Sequence, residues 1–90
     1  MKEQQKVAEF VDDHELQGDP VFQILDLAAE VGEIAADATK STSWGASPEA
    51  LEIKSDEIGD ALFSLLVVAE SLEIDAEDAL DEASKNIERG

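Results

Sequence analysis

Two pairs of carboxylates stand among apolar and small residues, at a spacing that suits metal binding. Glu30 and Glu33 lie in an alanine-rich segment, and Glu57 and Asp60 repeat the same three-residue spacing further along the chain. In a helix, side chains three residues apart project from one face, one turn apart. Carboxylates on an apolar face need a partner, because an unpaired buried charge is very costly. We expect a divalent cation as that partner, since lysine and arginine are scarce nearby.

Each pair also contains a glycine, Gly32 in the first and Gly59 in the second. A glycine inside a helix costs about 1 kcal/mol relative to alanine. Close approach of the two helices, or of a ligand, beside the acids would explain both glycines, and it would set four carboxylates around one point. A second interpretation stays open, in which two polar stripes of an acidic surface carry incidental glycines, because acid pairs at this spacing occur along the whole chain.

The charge of the chain limits what such a site can bind. Ninety residues carry 23 Asp and Glu against 6 Lys and Arg, for a formal net charge of −17. This surface excludes non-specific nucleic-acid binding, which needs a basic footprint. Dispersed acids with little lysine are typical of a protein that stays soluble in high salt, where self-repulsion is screened. We therefore expect a halophilic source.

The remaining sequence predicts no disulfide, no secretory signal and no membrane span, and it leaves the cytoplasm as the default location. Cysteine is absent, which excludes disulfides and thiolate metal sites. The N-terminal residues lead into no apolar core, so no secretory signal is predicted. The longest purely apolar run, Leu65 to Ala69, is far short of a membrane span. The cytoplasm is the expected location, and a membrane is not an expected partner.

Helices must position the carboxylates, because no segment of strand length alternates with period two. Asp19 and Ser47 each precede a proline and are predicted N-caps, and Asp75 is expected to cap the last helix. Residues 1–90 are predicted to form one all-α domain, a four-helix antiparallel bundle completed by oligomerisation. The four predicted helices run from about Lys2 to Leu16, from Pro20 to Lys40, from Pro48 onward and from Asp75 to Arg89.

The third predicted helix is apolar on more than one side. Phe63, Val67 and Val68 point away from a stripe with heptad-like spacing, as in antiparallel bundles. One chain of about 90 residues has only a modest core to cover so much apolar surface. We therefore expect a homodimer or a homotetramer. The stripe consists of Leu51, Ile58, Leu62, Leu65, Ala69 and Leu72.

The two acidic segments resemble a known enzyme family. Residues 29–34, Ala-Glu-Val-Gly-Glu-Ile, are followed after a spacer by residues 56–63, Asp-Glu-Ile-Gly-Asp-Ala-Leu-Phe. Together they resemble the MazG nucleotide pyrophosphohydrolases, whose signature is EExxE, a spacer and then ExxD. The segments 69–80 and 85–89 are similar to that family's closing helix, so the resemblance covers most of the chain. One departure is Ala29, which replaces the first glutamate of EExxE and excludes a role for that position here.

The resemblance implies an α-helical enzyme that cleaves nucleoside or deoxynucleoside triphosphates to the monophosphate and pyrophosphate. It implies that Glu30, Glu33, Glu57 and Asp60 are its metal ligands and catalytic residues. Mg²⁺ is the implied cofactor, with Mn²⁺ as an alternative. Bound metal would reverse the local charge that otherwise repels a triphosphate. No serine, cysteine or histidine constellation indicates a covalent intermediate, so direct attack by water is the simpler hypothesis.

Three basic residues are candidates for substrate binding. The resemblance places Lys85 and Arg89 where family members carry basic residues that can meet phosphates. Both would equally complement the dipole of the last helix at its C-terminal end. Lys54 lies one turn before Glu57, where it can pair with a cluster acid, meet a phosphate or form a weak surface pair.

The competing hypothesis is a non-enzymatic acidic interaction module that binds a partner through its apolar helices. Convergence of the four carboxylates distinguishes the two hypotheses, because an interaction module gains nothing from it. His14, the single histidine, is expected to pack on the first helix rather than bind metal. Trp44 lies in the predicted loop at residues 41–47, where it either stacks on a base or plugs the end of the bundle.

Overall fold

The computed structural model describes all residues from 1 to 90 and contains only helices, turns and loops. The all-α prediction is therefore confirmed. A short 3-10 helix, Pro48–Ala50, lies in the connection before the third helix. None of the helices combines the length and apolar character that crossing a membrane requires. The four α-helices are α1 (Lys2–Asp13), α2 (Pro20–Ser41), α3 (Ser55–Ser71) and α4 (Ala76–Arg89).

Two of the predicted caps are present. The Asp19 side chain accepts a hydrogen bond from the backbone N–H of Val21 at 2.8 Å, and Pro20 is the first residue of α2. The Asp75 side chain accepts one from the backbone N–H of Asp78 at 3.0 Å, directly before α4. Each cap satisfies a backbone donor that the helix leaves unpaired.

The predicted start of the third helix is wrong. Ser47 makes no side-chain capping hydrogen bond, and the helical turn after Pro48 ends at Ala50. Leu51 then adopts an extended ψ of 127°, which breaks the helix. The backbone N–H of Glu52 donates to Ser41 Oγ at 3.1 Å instead of continuing a helical ladder. Residues 51–54 are consequently a connector, and α3 begins at Ser55.

The first helix also ends earlier than Leu16, the predicted limit. Its last helical residue is Asp13, and Glu15 has a positive φ of 53°. The backbone N–H of Leu16 turns back to the carbonyl of Val11 at 2.9 Å. A left-handed residue after the last turn satisfies terminal carbonyls in this way, so the apolar Leu16 follows the helix rather than extending it.

Helices α2 and α3 pack along a seam and run in opposite directions. Ser71 Oγ donates to Gln23 Oε1 near one end, and Ser41 Oγ contacts the backbone of Glu52 near the other. Residues early in one helix therefore face residues late in the other. The seam stripe of α2 repeats every three or four residues, as expected for a packed helix face. It comprises the half-buried Gln23, Leu27, Glu30, Ile34, Asp37 and Ser41.

The seam stripe of α3 starts with a carboxylate and continues with small and apolar residues. Glu57, Ala61 and Ser64 are half-buried, and Val68 is buried. The prediction that Glu57 and Asp60 both lie on a face that becomes buried therefore holds for Glu57 alone. Asp60, by contrast, is exposed beside the seam.

Helix α1 packs against α3 and anchors the start of α4. The rings of Phe10 and Phe63 meet edge to face with centroids 5.6 Å apart. Gln4 is buried, and two backbone partners in the turn between α3 and α4 satisfy its side chain. Its Nε2 donates to the carbonyl of Ile74 at 2.7 Å, and its Oε1 accepts from the N–H of Ala76 at 2.8 Å.

The chain buries little of its apolar surface. Only five of 90 residues are buried, and α4 is exposed beyond its first residue. The radius of gyration is 15.6 Å, whereas a compact domain of this length has about 12 Å. The packed unit of one chain therefore consists of α1, α2 and α3. The exposed large residues include the heptad-spaced Ile58, Leu62, Leu65 and Leu72 of the α3 region.

Candidate functional site

The structure sorts the acids of the seam into two groups. The Glu30 cluster consists of Glu30 with Glu33, Asp60 and Asp26 around it. The Glu57 cluster consists of Glu57 with Asp37 and Asp56, and Lys54 is the cation whose charge lowers the pKa of Glu57. Three of the four acids predicted as ligands thus belong to the first cluster. The fourth, Glu57, belongs to the second.

In the Glu30 cluster, negative charge surrounds a half-buried glutamate. Loss of water around Glu30 raises its pKa most, followed by the charges of Glu33 and Asp60. A hydrogen bond with Glu33 and the charge of Asp26 raise the pKa further. Glu33, Asp60 and Asp26 are themselves exposed. Glu30 is therefore the central residue of this cluster and the one that burial affects most.

In the Glu57 cluster, the carboxyl groups of Glu57 and Asp37 come from facing helices. This contact with Asp37 is the largest cause that raises the pKa of Glu57 to about 7. Loss of water and the charges of Asp37 and Asp56 add to it, while Lys54 lowers the pKa.

One oxygen of Glu57 has no partner. Its Oε2 is shielded from solvent and accepts no hydrogen bond within the chain. A shielded carboxylate oxygen without a donor is costly, because water no longer compensates its charge. Glu57 lies in the first turn of α3, where helix dipoles favour negative charge.

The four predicted ligands do not converge on one point. No group of three or more Asp, Glu or His side chains is arranged to hold a metal ion within the chain. The donor chemistry nevertheless suits Mg²⁺, which takes oxygen ligands, keeps several waters and is often held by one or two carboxylates plus substrate phosphates. The unpartnered Glu57 Oε2 is an oxygen of this kind. The residues therefore fit a divalent cation held in part by substrate.

A polar cavity of about 490 Å³ opens beside the Glu57 cluster, between the end of α2 and the start of α3. Lys54 lines this cavity, a position consistent with the interpretation in which Lys54 meets a phosphate. Lys85 and Arg89 lie on exposed turns of α4 and do not line it. The cavity is lined by Asp37, Lys40, Ser41, Glu52, Lys54 and Glu57.

The predicted site residues did not include Asp37 or Lys40, although Asp26 and Asp37 extend the stripe of Glu30 and Glu33 by one turn at each end. A signal for Asp37 was present, because it lies seven residues after Glu30 and so shares its helix face. Lys40 carried no comparable signal. Its place at the cavity depends on where α2 ends, and the connector to α3 starts only after that point.

Close helix packing is wrong as the explanation of the two glycines in this chain. A Cβ atom added at Gly32 or at Gly59 would meet no atom within 4 Å. Both residues are exposed, because they lie on the sides of α2 and α3 that point away from the seam. Close approach of these two helices therefore does not require glycine.

Two aromatic residues can be assigned from their surroundings. His14 stacks on Phe10 with ring centroids 4.0 Å apart, and its Nδ1 lies 2.9 Å from the Phe10 carbonyl oxygen. The expected packing role of His14 is consistent with these contacts. Trp44 is 87% exposed and has a positive φ of 61°. It plugs no end of the packed unit of this chain.

Neither protein-family models, nor curated proteins, nor solved structures give a match to this chain.

Proposed function

We propose that this protein is a Mg²⁺-dependent nucleotide pyrophosphohydrolase that converts a nucleoside or deoxynucleoside triphosphate to the monophosphate and pyrophosphate. The observation that carries the proposal is the pair formed by Glu57 and Asp37 inside a helix seam, with the unpartnered Glu57 Oε2. Two acids that repel each other are costly in a purely structural seam. A role in holding a cation accounts for their presence.

In this proposal Glu57, with Asp37 beside it, holds the metal together with substrate phosphates, whereas Glu30, Glu33 and Asp60 form a separate cluster that supplies the base. When bound, Mg²⁺ supplies positive charge that stabilises the phosphates and the leaving pyrophosphate. Glu30 is the proposed base, because its raised pKa makes it a better proton acceptor than an ordinary glutamate. Its carboxylate takes a proton from the water that attacks the α-phosphorus.

The proposal includes assembly into a homodimer or homotetramer. The chain exposes 6758 Å², whereas a compact monomer of this mass exposes about 5,100 Å². The excess of about 1,600 Å² is twice the share that one partner buries in a standard interface. A second copy covering Ile58, Leu62 and Leu65 would also complete the four-helix antiparallel bundle that one chain leaves open.

The same exposed apolar surface favours a second candidate function, the acidic interaction module. Large exposed apolar patches mark binding surfaces for other proteins as well as for copies of the chain. Hydrolysis separates the two functions. An interaction module has no reason to release pyrophosphate in a cation-dependent way.

The test is a panel of nucleoside and deoxynucleoside triphosphates, assayed for pyrophosphate release in high salt with Mg²⁺ and with a chelator. We expect release from at least one triphosphate in Mg²⁺ and none in chelator. Glu57→Gln protein purified in parallel excludes a contaminating hydrolase. Release from no triphosphate would favour the interaction module. Light scattering in the same buffer tests assembly, and a monomer there would remove that part of the proposal.

A further inference from the structure

We infer that the cavity beside the Glu57 cluster binds the polyphosphate group of the substrate, and that Lys40 and Lys54 are the residues that hold it. The inference deepens the proposed function and rests on it for the identity of the substrate. It replaces Lys85 and Arg89 of α4 with two lysines that the packing of α2 and α3 brings to one cavity.

The placement of the lysines is the first step. Lys40 lies in the last turn of α2, and Lys54 is the residue directly before α3. Thirteen residues separate the two lysines in sequence, yet both line the cavity that Asp37 and Glu57 also line. The whole chain has only six lysines and arginines against 23 acids, whereas this cavity has two lysines against three acids, so the lysines offset two of the three negative charges there.

Neither lysine forms an ion pair with the acids around it. The one ion pair of the chain joins the N-terminal amine and Glu77, 3.4 Å apart. Lys40 and Lys54 thus have no carboxylate within 4.0 Å, although Asp37, Glu52 and Glu57 line the same cavity. Two ammonium groups without a fixed partner are available to an anion. Lysine is a common phosphate ligand in proteins.

Neutral donors at the same place favour a phosphate over a simple counterion. Ser41 Oγ accepts the N–H of Glu52, so its own hydrogen remains free to donate. The first turn of α3 has no side-chain cap, which leaves backbone N–H groups open at that end of the helix. Carboxylates that hold a cation and lysines that hold oxygens are complementary halves of one site for a metal-bound polyphosphate.

The experiment measures binding of inorganic pyrophosphate with Mg²⁺ by titration calorimetry. It compares the wild-type chain with Lys40→Gln, with Lys54→Gln and with the double variant. Lys6→Gln is the matched control, because Lys6 lies exposed on α1 and does not line the cavity. All proteins are held at a salt concentration at which circular dichroism shows the wild-type chain folded, and each variant must unfold at the wild-type temperature.

We expect each cavity variant to weaken pyrophosphate binding about tenfold, the effect of losing one hydrogen bond to a charged group. The double variant should lose at least as much as either single variant, and Lys6→Gln should bind as the wild type does. Binding that is absent in the wild type, unchanged in the cavity variants or equally weakened in Lys6→Gln overturns the inference. Failure of the proposed hydrolysis is a separate result, because pyrophosphate binding does not require turnover.

Discussion

The Glu30 and Glu57 clusters share one helix seam, but they differ in what surrounds their central glutamates. Only the loss of water and neighbouring acids shift the pKa of Glu30, and all of them raise it. Around Glu57, a lysine opposes the acids, and a polar cavity with a second lysine opens beside it. The first cluster therefore repels any anion, whereas the second can receive one.

The difference indicates a division of labour along the seam. An all-acid cluster is suited to cations and to accepting a proton, because both processes reduce its negative charge. A mixed cluster is suited to the place where a cation and an anion meet. Identical three-residue spacing of acids in the sequence thus leads to two chemically different environments.

The largest expected effect separates the central glutamates from ordinary surface acids. Glu57→Gln keeps the shape of the side chain and removes the charge that would hold the cation. We expect Mg²⁺-dependent pyrophosphate release to fall by about 100-fold or more, the range seen when a charge-stabilising group is removed from an active site. Steady-state release from the best triphosphate measures it. Glu82→Gln on exposed α4 is the control, and full activity of Glu57→Gln would contradict the assignment.

A smaller effect tests the role of Asp37, which the predicted site did not include. Asp37→Asn removes the acid that meets Glu57 across the seam. We expect it to weaken Mg²⁺ binding about 10- to 100-fold, as loss of a partner beside a metal ligand commonly does. Calorimetric titration with Mg²⁺ measures the change. Asp81→Asn on α4 should bind as the wild type does, and equal losses in both variants would show a general charge effect instead.

Sequence alone predicted much of this arrangement, for identifiable reasons. Asp19 and Asp75 mark helix starts because capping is local, and the burial of Glu57 follows from the helical period of Ala61, Ser64 and Val68. These features depend on residues within a few turns of each other.

Other features depend on contacts across helices, which spacing does not encode. Helix α3 begins at Ser55 and not at the predicted Pro48. The backbone N–H of Glu52, in the connector, donates to Ser41 of α2, a contact that local spacing does not encode. The partition of the acids depends on the register of α2 against α3, which pairs Asp37 with Glu57 and Glu30 with Asp60 across the seam. The sequence predicted the heptad-spaced apolar stripe of the third helix, yet the large side chains of this stripe are exposed in one chain.

The pH dependence of stability offers a further distinction between the clusters. Folding raises the pKa of Glu57 from 4.5 to about 7, so its protonated form favours the fold. This contribution is fully present below about pH 4.5 and is lost as the pH rises through 7. Asp37 and Asp56 cause the loss, and Lys54 moderates it.

Without divalent cations, we therefore expect the melting temperature to fall between pH 5 and pH 8, and to fall less in Glu57→Gln than in the wild type. Thermal unfolding followed by circular dichroism measures both slopes. Mg²⁺ should restore stability at pH 8 in the wild type more than in the variant. Equal slopes in the two proteins would show that the many surface acids, rather than Glu57, set the pH dependence.

The smallest expected effect concerns the glycines that lie beside both clusters. Gly32 and Gly59 are exposed, and a Cβ atom at either would meet nothing within 4 Å in one chain. Alanine at each position should therefore stabilise the helix by up to about 1 kcal/mol, since glycine is the weaker helix former. Chemical unfolding measures the gain, and light scattering on the same samples reports assembly. Destabilisation of Gly59→Ala together with loss of the oligomer would mean that a second copy packs closely on this face of α3. Stabilisation with assembly intact would place the interface elsewhere on the exposed apolar surface and leave both clusters open to solvent.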